Sequence, residues 1–404
     1  MFKKNYQEPI ARGKIISGFK QVFTREINRI ISRPVYRVIT IILPFFSFLI
    51  FWLIFSSGVP RNIPVSVYDG DNSQTSRKII RMLDATALLQ VTQRPLNIEQ
   101  GKKFIHNGQS NALIILPKNL EKDILGGSSP CITNFYNNKN LLIGSLINRD
   151  VTRLVKTVSK SIDLSIRQKN NEMTNAAMAH IAPIIIKKHI LFNPCLNYFY
   201  YLTGTIQPAM LQIFIIIMTI FAFGIELKQG TAQELFEKSE NNIIALYLGK
   251  LLPYFLIYTL LGLFMNIYLF RVPGFPLRGS LTAITISTIL FVLAYQSLGV
   301  LIISMTCNLR LALSIAGFYS TTAFAFAGVT FPLTGMPMAA KIWSHILPLT
   351  YYIKIFIAQS IKGAPISVSI PDMCYISFFI FAGLCLSYFR MEKILTNEKY
   401  WGRL

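Results

Sequence analysis

The chain turns on Gly224-Ile-Glu-Leu-Lys-Gln-Gly-Thr-Ala-Gln-Glu-Leu-Phe-Glu-Lys238, which runs on to Leu248-Gly-Lys250. It is a polar island. Residues 206–223 before it and 251–270 after it are apolar, and each run is long enough to cross a membrane. Four of the chain's 18 acidic residues sit here, Glu226, Glu234, Glu237 and Glu240. Gly230-Thr231 reads as a helix start, with Thr231 as N-cap and Glu234 three residues on, the spacing of a capping box. Leu235 and Phe236 then offer an apolar face. A short capped helix held between two spans, in a loop over residues 226–244, is a handle for a partner protein.

Composition agrees with a membrane setting. Of 404 residues 52% are hydrophobic and only 14% charged, with a mean hydropathy of +0.46. A soluble chain carries about 25% charged residues. The net charge of +22 would suit nucleic acid in a soluble protein. Here cations crowd beside spans and meet anionic membrane lipids, so no nucleic-acid partner is expected. The five cysteines form no Cys-x-x-Cys and no zinc-ligand spacing. Cys131 and Cys195 can pair on an oxidising side, or both stay reduced.

Residues 1–37 hold nine Lys/Arg against Glu8 and Glu26. Ile16, Phe19, Phe23, Ile27, Ile30 and Ile31 recur at helical spacing, with Lys14, Lys20, Arg25, Arg29 and Arg33 largely elsewhere around the helix. This predicts a basic amphipathic helix at a membrane surface, not a cleavable signal, ended or kinked by Pro34. The first span follows at 38–55, in a segment 38–58, and the preceding cations place the N-terminus in the cytoplasm.

Residues 59–204 then leave the membrane. Ile63-Pro-Val-Ser-Val-Tyr-Asp69 alternates as a strand and ends in the turn Asp69-Gly-Asp71. Helices are predicted over 73–83, 98–107, 117–125 and 141–169, and strands over 88–92, 111–116 and 131–136. Strands alternating with helices predict a small α/β or α+β domain, external because it follows one span. Four spans return at 205–223, 251–270, 281–305 and 311–331. The fifth span in the chain, 311–331, is rich in small residues that let helices approach closely. A sixth span at 373–389 precedes a basic tail, 390–404. The fold class is therefore an α-helical polytopic membrane protein of six spans, filling 38–58 and 205–389, with an inserted external domain and both termini cytoplasmic.

Residues 332–370 form a moderately hydrophobic external segment with Phe331-Pro-Leu-Thr-Gly-Met-Pro337 and Ile346-Leu-Pro-Leu-Thr-Tyr-Tyr352. Its helical runs are too short to cross, so two re-entrant or interfacial helices are predicted, with Trp343, Tyr351 and Tyr352 at the interface and Pro332, Pro337 and Pro348 at the turns. Such helices need a partner surface, since lipid cannot satisfy their backbone ends. A second protomer's identical segment is the expected one, making Phe331, Pro332, Met336, Pro337, Trp343, Pro348, Tyr351 and Tyr352 an outer gate.

Spread over nearly the whole chain are pieces that together resemble the permease subunit of an ABC-2-type exporter, the variety with a large external domain between its first two spans. They are the strand 65–69 followed by Ser73, Asn193-Pro194 and Thr203-Gly204, Glu226 through Gly230-Thr231 with Gln233-Glu234-Leu235, Gly249-Lys250-Leu-Leu-Pro253, and Phe331-Pro332, Met336-Pro337 and Leu347-Pro-Leu-Thr350. Departures fall at Lys228-Gln229, where the family is more acidic, and at Phe236-Glu237-Lys238, where an apolar pair and a proline are usual. The resemblance implies a type V exporter-like fold in the bacterial inner membrane. It also implies a homodimer or heterodimer with a related permease, bound to separate ABC ATP-binding subunits. ATP and Mg would sit on those subunits. This chain has no phosphate-cradling P-loop and is expected to be neither enzyme nor cofactor carrier. A periplasmic adaptor is a further partner, and drug-like or lipid-like compounds a substrate class, that the resemblance allows.

Site expectations are therefore a coupling loop of Glu226, Gly230, Thr231, Glu234, Leu235 and Phe236, and pathway candidates Tyr295 and Gln296, although a single Gln such as Gln296 more readily serves to hold helices together. Glu226 can instead pair locally with Lys228. Asp69 and Asp71 read as turn residues. No catalytic or metal set is visible, and His106, His180, His189 and His345 share no ligand spacing. A membrane-anchored receptor acting through its external domain is the alternative, but such an anchor needs one or two spans. An intramembrane enzyme lacks a catalytic set.

Overall fold

The computed structural model describes residues 14–56, 58–169, 191–193 and 197–402, and the chain divides into two compact units, Val59–Ile190 and the remainder. The first helix, α1 (Ile15–Ser32), stops because Arg33 precedes a proline and takes extended backbone. Pro34 then opens α2 (Pro34–Phe55), where its missing N–H costs nothing. A wide π turn at Val38–Ile42 comes just ahead of Pro44, a local adjustment that accommodates proline in a membrane helix.

The unit Val59–Ile190 runs β1 (Ile63–Asp69), α3 (Gln74–Asp84), β2 (Leu89–Gln93), α4 (Ile98–His106), β3 (Ala112–Leu116), α5 (Leu120–Leu125), β4 (Thr133–Tyr136) and α6 (Leu141–Lys169). The sheet order is β2-β1-β3-β4. β1 is parallel to β2 and β3, and β4 is antiparallel to β3. Side-chain caps set the helix starts: Ser73 accepts from Ser76 N at 3.0 Å and Asn97 from Gln100 N at 2.8 Å. The helix expected to open at Pro117 begins only at Leu120, because Asn119 takes a left-handed conformation, φ 61°. Asp69 is a turn residue, accepting from the N–H groups of Asp71 and Asn72. His180, His189, Pro194 and Cys195 lie outside the described residues, and with Cys195 the pairing weighed for the exposed Cys131.

The rest of the second unit is α7 (Phe199–Gln229), α8 (Ala232–Lys238), α9 (Ile243–Arg271), α10 (Leu281–Thr306), α11 (Leu309–Phe326), α12 (Met338–His345), α13 (Pro348–Ile357) and α14 (Ile370–Thr396). Among the described residues, six helices are long and apolar enough to cross a membrane: α2, α7, α9, α10, α11 and α14. α10 is their hub, packing on α7, α9, α11, α13 and α14. Small residues make this possible. A Cβ at Gly299 would lie 2.9 Å from Thr219 Cβ, and one at Gly383 2.8 Å from Ser297 Oγ. Ala312, Ala316, Ser320 and Ala323 of α11 are buried, and α11 packs on α7. The fifth span ends earlier than its apolar run: the helix stops at Phe326, Gly328 turns the chain at φ 86°, and Phe331 lies beyond it.

Candidate functional site: a buried ion cluster and an outer hairpin

α1 buries Gly18, Val22, Glu26 and Ile30, a stripe at four-residue spacing along one face. The apolar face expected from the sequence lies partly elsewhere: Ile16 and Ile31 are exposed. The buried stripe lies along α9. A Cβ at Gly249 would come 2.7 Å from Val22 Cβ, and one at Gly18 2.3 Å from the carbonyl oxygen of Ser239. Only hydrogen fits at either place.

Two carboxylates and a lysine are sealed beneath this helix. Glu26 and Lys250 are fully buried and Glu226 is 1% exposed. Lys250 Nζ lies 3.0 Å from Glu26 Oε2 and 3.1 Å from Glu226 Oε1. Arg25 grips Glu226 with both terminal nitrogens at 3.1 Å, a bidentate fork. Arg29 also bonds Glu226 and lies 3.8 Å from Glu26. Tyr254 donates to Glu26 at 2.7 Å, and the Thr231 hydroxyl donates to Glu226. Burial opposes the charge on Arg29, but Glu226 and Glu26 outweigh it and raise its pKa further above neutrality. Charges leave water at high cost unless paired and hydrogen-bonded. Here the pairing joins α1, α7, Thr231 just ahead of α8, and α9 into one knot.

Several expectations about the loop change. Glu226 pairs with Arg25, Arg29 and Lys250, not with Lys228, because the three cations converge on its buried carboxylate. Thr231 makes no side-chain cap; its hydroxyl is taken by Glu226. Glu234 bonds Lys238 at 2.6 Å, a hydrogen bond that holds its carboxyl below the usual range. Gly230 adopts φ 71° and closes α7, with its N–H returning to Glu226 O. Leu235 and Phe236 turn inward. Both are buried, since the short helix packs its apolar side on α14 and α9. Its exposed residues are Gln233, Glu234 and Glu237. Sequence reading assigns none of Arg25, Glu26, Arg29, Lys250 and Tyr254 to a site. Their signal was a lone acid in a basic helix, and a lone lysine inside what proves to be one continuous helix.

The outer hairpin holds the two short helices expected, α12 and α13, after a tight turn at Leu333–Gly335. Its burial corrects the expected need for a second protomer. Pro348, Tyr351 and Tyr352 lie among eight buried residues of the ten in α13, because the chain's own α10 and α14 cover that helix. Tyr352 OH joins Thr288 at 3.1 Å and Asn266 at 3.3 Å. Trp343 Nε1 donates to Thr322 at 3.2 Å. Met336 is buried, whereas Phe331, Pro332 and Pro337 stay exposed. Tyr295 and Gln296 are buried: Tyr295 OH accepts from Leu349 N at 3.3 Å and Gln296 donates to Leu251 O at 3.2 Å. Each ties its helix to a neighbour.

A multi-pass bundle with a small mixed-sheet domain inserted after its first span is the architecture of a transport permease. The chain belongs to the ABC-2 transporter family, whose sequence model, described as ABC-2 family transporter protein, matches residues 34–389. That match begins after α1, so Arg25, Glu26 and Arg29 stand outside it. Over 206 residues the chain is 24% identical to the protein named "Probable multidrug ABC transporter permease YbhS" of Escherichia coli strain K12, and equally to that of Escherichia coli O157:H7. The alignment covers 50% of this chain and 54% of each relative, so the chain spans about half the length of the curated relatives it matches.

Proposed function

We propose that the chain is the permease subunit of an ATP-driven ABC exporter in a bacterial inner membrane. It works with a separate ATP-binding subunit and with a second permease, identical or related. The compound moved outward is amphipathic or lipid-like, a class in keeping with the multidrug name of the relatives. Both termini face the cytoplasm, and the unit Val59–Ile190 lies outside, where an adaptor can meet it. The ATP-binding subunit docks on the exposed side of α8, with Glu234 and Glu237, and on the basic surface of α1.

The observation that supports this reading most is the ion cluster. A force applied at α8 reaches Glu226 through Gly230 and Thr231, and from Glu226 passes to α1 through Arg25 and Arg29 and to α9 through Lys250. The loop cannot move without moving the ends of two spans. The test is reconstitution with the ATP-binding subunit. Transport substrate should stimulate ATP hydrolysis in the native complex and lose that stimulation in Glu226→Gln, with assembly retained. A fully coupled Glu226→Gln complex would reduce the cluster to a structural knot.

A further inference from the structure

The carboxyl ends of β1 and β2 open into a cleft of about 660 Å³. Ligand sites commonly fall in the range of about 300–1,000 Å³, and in open α/β sheets they form outside the carboxyl ends of parallel strands. Its floor is apolar: Val67 and Ile80 are buried there. Its rim is cationic. Arg77 and Arg81 stand one helical turn apart on α3, so they share a face, and Arg94 follows β2 directly. Asn72 O holds the Arg77 guanidinium at 2.7 Å. Among the described residues, the guanidiniums of Arg81 and Arg94 have no hydrogen-bond or ion-pair partner. The one carboxylate lining the cleft is Asp69, and it is spent on its own turn and on the start of α3: besides the two turn N–H groups, it accepts from the Ser76 hydroxyl at 2.8 Å. Beside the arginines, Leu96 is 87% exposed.

An apolar floor under unpaired guanidiniums suits one ligand chemistry. We propose that this cleft binds an anionic amphiphile, its phosphate or carboxylate held by Arg81 and Arg94 and its alkyl chain laid against Leu96 above the buried Val67 and Ile80. Arginine presents a planar fork that matches such oxyanions, while the exposed leucine gains by being covered. The binding stands independently of the transport reading, since it requires only the unit Val59–Ile190 to be folded in the full chain.

The test uses the full chain in lipid nanodiscs and a photoactivatable dodecyl phosphate, with cross-links located by peptide mass spectrometry. Labelling should fall on the peptides carrying Tyr68 and Leu96. Unlabelled dodecyl phosphate should compete it away, and equal concentrations of dodecanol or inorganic phosphate should not. Arg81→Gln with Arg94→Gln should cut labelling about a hundredfold, the effect of losing two charge-assisted contacts at the low end of their usual strength. Arg81→Lys with Arg94→Lys should keep part of it, and Lys78→Gln, on the same helix outside the cleft, all of it. Competition by dodecanol would make the cleft merely apolar, and competition by phosphate would make it a free-anion site; either overturns the proposal. So does undiminished labelling in the double Gln variant. A double Gln variant that no longer folds leaves the decision to the Lys pair, where complete loss of labelling in a folded protein counts against the site.

Discussion

Lys250 and Glu26 are 224 residues apart in the chain, yet their side chains meet at 3.0 Å with neither exposed. Lys250 also bridges to Glu226, so one ammonium links two buried carboxylates whose remaining charge Arg25 and Arg29 balance. Lys250→Met should therefore destabilise the protein by about 3–5 kcal/mol, the cost of leaving a buried charge without its partner. Combining it with Glu26→Gln should recover part of that loss. Thermal unfolding in detergent checks both, and a single variant as stable as the parent refutes the reading.

The exposed side of α8 predicts a division of labour. Glu234→Lys with Glu237→Lys should leave the permease folded and lower substrate-stimulated ATP hydrolysis at least tenfold. Leu235→Ala, which empties a fully buried position, should cost about 2–5 kcal/mol instead. Comparing unfolding temperature with ATPase rate in the reconstituted complex separates the two. If the charge reversals leave coupling intact, docking lies elsewhere.

Topology is open to cysteine labelling in a background free of native cysteines. Ser128 and Gln233 are both exposed. A cysteine at 128 should react with an impermeant reagent in intact cells, and one at 233 only after the cells are opened. The reverse pattern would invert the assignment of sides.

Because α13 is buried within its own chain, a gate formed by two copies must use the hairpin's outward residues. Phe331 is 53% exposed and Met338 72%. Cysteines at these positions should cross-link between protomers and block export until reduced. An active complex that yields no cross-link leaves the hairpin as an anchor for α14.

Much of the fold was legible. β1 announces itself by alternation and by the turn Asp69-Gly-Asp71, β3 by a short continuous apolar run, and the spans by apolar length. The end of the fifth span was not, because Ala327-Gly-Val-Thr-Phe331 stays apolar after the helix has stopped. Nor was the direction of Leu235 and Phe236, since a short amphipathic helix does not say whether its apolar side meets its own chain or another. The ion cluster was hardest. Glu226 stood out in the polar island, but its partners come from a distant helix and from a lysine that reads as the flank of the next span.

The separation of Glu26 from Lys250 also orders the making of the protein. The ribosome finishes α1 long before α9 exists, and α1's buried stripe carries a carboxylate that apolar lipid tails will not accept. Until the third span is inserted, that stripe lacks α9, its main support, so α1 is expected to dock fully only afterwards. Its docking then works as an inspection step, passed only by chains whose second and third spans stand in register. A nascent chain arrested before Lys250 should accordingly leave α1 open to protease, and a chain released beyond Arg271 should not; equal protection in both would remove this role.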